Sequence, residues 1–163
     1  MSHYPDNIFP GMVANRAAEF PDFKVLTIEG AGVRPDEVRT YRQLWDNGQR
    51  MAQAMLDLGI APGERVALLM ANHAEFVEAM VAAGIVGAAV VPIDPRTKGD
   101  KLHFMLTSSQ CSAAIAADYV LPRLQPLRER LPGLRWAMAF ATDEGDRPLS
   151  DWQGVENLAA RAP

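Results

Sequence analysis

From Thr40 to Gly59 the apolar positions recur with the period of an amphipathic helix. Tyr41, Leu44, Trp45, Gly48, Met51, Ala52, Met55 and Leu56 share one face. Arg42, Gln43, Asp46, Asn47, Gln49, Arg50 and Asp57 share the other. Thr40 with Gln43 is a capping box, two side chains that satisfy N–H groups with no partner at a helix start. Gly59 is a stop, since it takes a left-handed conformation without a Cβ clash, and Pro62-Gly63 then turns the chain.

The pattern then changes period. Arg65 to Met70 is a short, continuous apolar run, the signature of a strand covered on both faces. Asn72 with Glu75 predicts another helix start, and the following Phe76, Val77, Met80, Val81, Ala83 and Gly84 leave that helix little polar surface. Ala88 to Val91 is a second strand, ended by Pro92, and Thr97 with Asp100 opens a helix carrying Leu102, Met105 and Leu106. Ala113 to Ala117 is a third strand. Leu121, Leu124, Leu127 and Leu131 mark a helix beginning near Pro122, and Leu134 to Phe140 a further strand. An earlier strand is expected over Lys24 to Glu29, and a last helix from near Ser150, after the acidic turn 142–148. Alternating strands and helices with short connections predict an α/β fold around a mainly parallel sheet.

Composition narrows the function classes. The 163 residues carry 16 basic and 20 acidic side chains, a net charge of −4, without the basic stretch a nucleic-acid binder needs. No apolar stretch reaches the ~20 residues of a membrane span; the longest, 79–91, is interrupted by Gly84 and Gly87. The N-terminal residues lack a signal-peptide pattern, so a cytoplasmic location is expected. The single cysteine, Cys111, precedes an apolar run and reads as a packed thiol.

Chemistry is conspicuous by its absence. There is no G-x-x-x-x-G-K-[ST] and no G-x-G-x-x-G leading from strand to helix, and Gly30-Ala31-Gly32, followed by Pro35, reads as a plain turn. His73-Ala74-Glu75 matches half of a zinc-deaminase signature whose other half needs two cysteines, so His73 reads as a first-turn helix residue and Glu75 as a capping partner. His103 has no metal-spaced neighbour, and no Ser stands in a G-x-S-x-G elbow. No catalytic residue and no metal site is predicted.

Four strings, in order and within about sixty residues, carry a resemblance. Thr40-Tyr41-Arg42-Gln43-Leu44 resembles the T-Y-x-E-L element of adenylate-forming enzymes, a family of acyl- and aryl-CoA ligases, luciferases and peptide-synthetase adenylation domains. Leu58 to Ala67 is similar to L-G-[IV]-x-x-G-[DE]-x-V-A, Asn72 to Phe76 to N-x-x-E-[FW], and Gly87 to Arg96 to G-A-x-x-V-P-[IL]-[ND]-P-R. The resemblance covers about 14–140, and the Pro-Arg ending looks most like the CoA ligases.

The resemblance implies a chain corresponding to the N-terminal subdomain of an ATP-dependent acyl-CoA synthetase. Such a parent enzyme uses ATP, Mg and CoA. It converts a carboxylic acid to an acyl-adenylate and then to a thioester. Charge stabilisation on phosphate carries much of that work. The family's Gly/Ser/Thr-rich phosphate loop and its later lysine have no counterpart here, so the chain by itself is expected to be inactive. Arg96 matches an arginine that contacts a CoA phosphate in some relatives, and Lys98 lies beside it; a guanidinium suits phosphate through its bidentate fork. A solvated loop arginine and a structural ion pair stay open as alternatives for Arg96.

The organisation expected is one N-terminal subdomain over 1–163, with an arm over 1–23, a core over about 24–140 and an incomplete helical region over 149–163. Its partners would be the remainder of the parent enzyme and, in the parent, a carboxylic acid and CoA. Exposed apolar surface would favour a homo-oligomer. The rival reading is a short, non-catalytic scaffold that binds a protein partner or CoA, and the acid itself stays open.

Overall fold

The computed structural model describes residues 5–30 and 35–142. The expected helix from Ser150 and most of the turns at 30–32 and 142–148 lie outside them. The described residues fall into two units, 5–59 with 72–86 and 60–71 with 87–142.

The first unit holds α1 (Phe9–Glu19), β1 (Lys24–Ile28), β2 (Glu37–Thr40), α2 (Tyr41–Asp57) and α3 (Ala74–Val86). The Thr40 capping box forms as expected, with Gln43 N donating to Thr40 Oγ1 at 3.2 Å and Thr40 N to Gln43 Oε1 at 2.9 Å. The buried face of α2 is Leu44, Gly48, Met51, Ala52, Ala54 and Met55. Leu56, expected on that face, is instead 48% exposed. Gly48 lets α2 and α3 approach closely: a Cβ there would stand 2.6 Å from Val81 Cγ1. Val13, Leu44 and Val81 form the buried centre of the unit.

Two elements of this unit escape the sequence pattern. Within the stretch marked off as an arm, Phe9–Glu19 is a helix that buries Val13, Ala14 and Ala17 and opens on Pro10, a residue suited to a first turn. β2 has one apolar residue, Val38, and exists because β1 supplies an antiparallel partner, pairing Ile28 with Glu37 and Lys24 with Thr40. α3 begins at Ala74, two residues after the expected cap at Asn72.

The second unit is built on four parallel strands in the order β4 (Ala89–Pro92), β3 (Arg65–Leu69), β5 (Cys111–Ala117), β6 (Trp136–Phe140). Val66 to Leu69, all of β5 except Ser112, and Trp136 to Ala139 are buried, as continuous apolar runs require. β4 stands at the edge, the position where Pro92, lacking an N–H, is tolerated. Cys111 is buried, and burial pushes its thiol up to about 11.

Two helical expectations change in this unit. α4 runs Gly99–Ser108, and its cap position is Lys98, without a side-chain cap. Thr97 does not cap it: Thr97 N donates to Asp94 O at 2.9 Å, closing a turn before the helix starts. The helix expected from Pro122 is three short helical turns, Asp118–Val120, Leu121–Leu124 and Gln125–Arg130. Pro122 and Pro126 lack the N–H groups a longer helix would need, yet Leu124, Leu127 and Leu131 still reach the core. At the amino ends of the strands, Arg135 grips Glu64 through both guanidinium nitrogens, at 2.6 and 2.7 Å. Those bonds, with one from Ala61 N, hold the Glu64 carboxyl down at about 2.

Candidate functional site

In an open parallel sheet the carboxyl ends of the strands form the face where ligands bind, beside the point at which the connections reverse direction. With the order β4-β3-β5-β6, that point lies between β3 and β5. A hydrogen bond already spans it: Ala71 N, just beyond β3, donates to Tyr119 Oη, just beyond β5, at 2.9 Å.

Asp118 sits at the same edge and is 1% exposed. Its Oδ1 accepts from Tyr119 N at 2.8 Å and from Thr142 Oγ1 at 2.7 Å, and its Oδ2 accepts from Thr142 N at 3.0 Å. The carboxylate therefore clamps the chain leaving β6 to the chain leaving β5. Each of these bonds goes to the protein's own backbone or hydroxyl, which makes Asp118 a structural tie. No motif in the sequence marks Asp118. The available signal was an acid placed directly after a buried run, Ala113-Ala114-Ile115-Ala116-Ala117, where a charge survives only if hydrogen-bonded.

Beyond β4, the turn Asp94-Pro95-Arg96 carries the predicted arginine. Arg96 is 87% exposed and grips the Asp94 carboxylate, with Nη2 at 2.7 Å from Oδ2 and Nε at 3.1 Å from Oδ1. Arg96 N adds a bond to Oδ1 at 2.8 Å. The Arg96 side chain and its backbone N–H hold the Asp94 carboxyl down at about 2, and the guanidinium is pushed up in turn. So the ion-pair alternative for Arg96 is the one the structure shows. An exposed pair of this kind is cheap to exchange for another anion.

Lys98 is exposed at the cap position of α4. Lys101 lies close enough for its charge to bear on Asp94, and Arg123 Nη1 donates to Pro95 O. Arg96, Lys101 and Arg123 thus act on one turn, and the exposed Lys98 follows it in sequence at a helix start whose N–H groups no side chain caps. That combination suits a phosphate. Asp100 leans away, paired with Arg130 at 3.0 Å.

His73 is buried just ahead of α3, before the helix and not within its first turn as expected. His103 Nε2 lies 3.1 Å from Arg130 O, which gives it a packing role. Among the described residues no cluster of His, Cys, Asp or Glu could hold a metal, and no helix is long and apolar enough to cross a membrane.

Comparison with known proteins adds four findings. Residues 13–157 match the family described as AMP-binding enzyme. A long-chain-fatty-acid–CoA ligase of Mycobacterium tuberculosis is 31% identical over 150 residues, which is 92% of this chain and 27% of that enzyme. The N-(5-amino-5-carboxypentanoyl)-L-cysteinyl-D-valine synthase of Penicillium rubens is 31% identical over 125 residues, 76% of this chain and 3% of the synthase. Among solved structures, one described as a long-chain-fatty-acid CoA ligase from Rhodopseudomonas palustris superposes with a TM-score of 0.73 at 25% identity, over 88% of this chain and 35% of that one. The chain therefore spans about a quarter of the length of the curated ligase it matches.

Proposed function

The chain belongs to the AMP-binding enzyme family, and from that premise we propose that it serves as the N-terminal part of an ATP-dependent acyl-CoA ligase. In this reading the full enzyme joins a carboxylic acid to AMP, using ATP and Mg, and the thiol of CoA then displaces the AMP. The observation that carries the CoA assignment is the cationic turn after β4. Arg96 and Lys98 are exposed there, beside the uncapped start of α4, where a nucleotide phosphate can exchange with Asp94. The match to a CoA ligase over 92% of the chain supports the same reading.

In this reading the described residues supply scaffold and a phosphate contact, and the groups that activate the carboxylate belong to the rest of the enzyme. The isolated chain is therefore expected to form no hydroxamate from a panel of fatty and aryl acids with ATP, Mg and hydroxylamine. ATP-dependent hydroxamate above background would sink the assignment of adenylation chemistry to the rest of a larger enzyme.

A second reading, an adenylation domain of a peptide synthase, is favoured by the 31% identity to the Penicillium enzyme. Binding of free CoA separates the two. Calorimetric titration of the chain with CoA should show weak binding that Arg96→Ala lowers about tenfold or more, the worth of one charge-assisted hydrogen bond. Equal affinity in the variant would remove Arg96 from the site. No CoA binding at all would favour the peptide-synthase reading.

A further inference from the structure

The turn after β4 carries an anion of its own on the arginine that would receive a phosphate. Asp94 and Arg96 stand two residues apart on a turn closed by Thr97 N, which donates to Asp94 O at 2.9 Å. Arg96 Nη2 donates to Asp94 Oδ2 at 2.7 Å, and Nε donates to Oδ1 at 3.1 Å and Oδ2 at 3.2 Å. This is the fork that a guanidinium offers to a phosphate. Arg96 N adds a further bond to Oδ1 at 2.8 Å. Among the described residues, Nη1 is the one guanidinium nitrogen of Arg96 without a partner.

An anion that comes to Arg96 therefore has two ways in. It displaces the Asp94 carboxylate from the Nε and Nη2 edge, or it binds end-on at Nη1 and Nη2 with the carboxylate still in place. Displacement as such costs little, because both partners of the pair are solvent-exposed. The displaced carboxylate cannot go far, since a single residue separates it from Arg96. Its charge stays within a few ångströms of the newcomer on either route. Like charges at that range repel appreciably even in water, and a dianion feels twice the repulsion of a monoanion. Arg96 holds the Asp94 carboxyl down at about 2, so this opposing charge is present at every working pH. Lys101 also acts on Asp94, so the carboxylate draws on a second cation of the same turn.

We propose that Asp94 is a built-in competitor of the phosphate that Arg96 receives, placed so that this phosphate is held weakly. The inference rests on the reading of the turn as a CoA contact and adds what sets the strength of that contact. An enzyme of the proposed kind releases its nucleotide product once per turnover, and a weaker hold acts mainly by speeding release. Asparagine at position 94 isolates the charge. Asp94→Asn keeps an oxygen in place of Oδ1 for Arg96 N and Nε, and it keeps the backbone turn to Thr97.

The test compares the 163-residue chain with Asp94→Asn and Arg96→Ala, each shown by its melting curve to be folded. All three are titrated at pH 8 and low salt with inorganic phosphate and, separately, with CoA, followed through the amide shifts of 94–101. Asp94→Asn should bind both ligands about fivefold more tightly or better, and Arg96→Ala should bind both more weakly than the parent chain. A gain for phosphate with no binding of CoA to any of the three upholds the competitor and removes the CoA reading. The opposite result separates the two claims as clearly. If CoA binds the parent chain and is lost in Arg96→Ala, while Asp94→Asn binds no more tightly, the reading stands and the competitor is overturned. Weaker binding by Asp94→Asn would make the carboxylate a group that orients Arg96, and the proposal falls. It falls equally if phosphate binds none of the three.

Discussion

Replacing Arg39 with alanine is expected to cost about 3 kcal/mol of stability, because it strands a buried carboxylate. Glu78 projects from α3, its side chain 5% exposed, and receives Arg39 Nε from β2 at 2.8 Å and Asn47 Nδ2 from α2 at 2.7 Å. Three elements of the first unit thus meet on one carboxylate. Burial pushes the Glu78 carboxyl above its ordinary value, while the Asn47 and Arg39 hydrogen bonds pull the other way. Arg39 itself is 21% exposed and also serves Glu37 at 3.5 Å and Glu75 at 3.7 Å, which places the cost at the lower end of the range for a broken buried pair.

The pH dependence has a definite sign. An acid whose folded value is raised contributes stability that is fully present below its unfolded value, 4.5, and lost as pH rises through the folded value. Without Arg39 the folded value rises further, so the deficit of Arg39→Ala should be larger at pH 7.5 than at pH 4.5. Glu78→Gln in the same chain keeps the Asn47 bond and removes the stranded charge, and should recover more than half of the loss. Urea unfolding of the two single variants and the double variant measures the coupling. A loss under about 1 kcal/mol for Arg39→Ala would mean that solvent reaches Glu78 and carries its charge.

Gly48→Leu is the second large effect, expected to cost about 3 kcal/mol at the upper end of overpacking. Gly48 and Val81 mark the closest approach of α2 and α3, and Val81 is fully buried, so it has no solvent side to retreat to. Gly48→Ala is a sharper comparison. A helix-interior alanine gains about 1 kcal/mol over glycine, which offsets only part of the clash of its Cβ with Val81 Cγ1 at 2.6 Å and Val81 Cβ at 3.0 Å. The alanine variant should therefore lose about 1 kcal/mol, less than the leucine variant. Val81→Ala added to Gly48→Leu should restore part of the loss, since the methyl in the way is gone. If Gly48→Leu melts with the parent, the helices separate more easily than their packing implies.

Much of this architecture is legible in the residues because local chemistry and tertiary demand coincide. The helix at Tyr41–Asp57 carries its own capping box and stripe, and β3, β5 and β6 are apolar runs too short for helices and too continuous for surface strands. Order and spacing of four short strings pointed to the family that residues 13–157 match. Other features are not locally encoded. Glu37-Val38-Arg39-Thr40 becomes a strand only because β1 lies beside it, and Leu121 to Leu131 keeps its leucine spacing while two prolines break the helix that spacing suggested.

The candidate sites divide in the same way. Arg96 and Lys98 could be picked out by motif, but the grip of Arg96 on Asp94 and the convergence of Lys101 and Arg123 needed the fold. So did the burial of Glu78 and Asp118, two acids that look like any surface carboxylate in a string of letters. By itself the sequence determined the period of each well-patterned element, the α/β class and the family, because these follow from spacing along the chain. Tertiary structure alone decided which charges are buried and which helices touch at glycine. Those depend on groups that sit tens of residues apart and meet only when the chain has closed on itself.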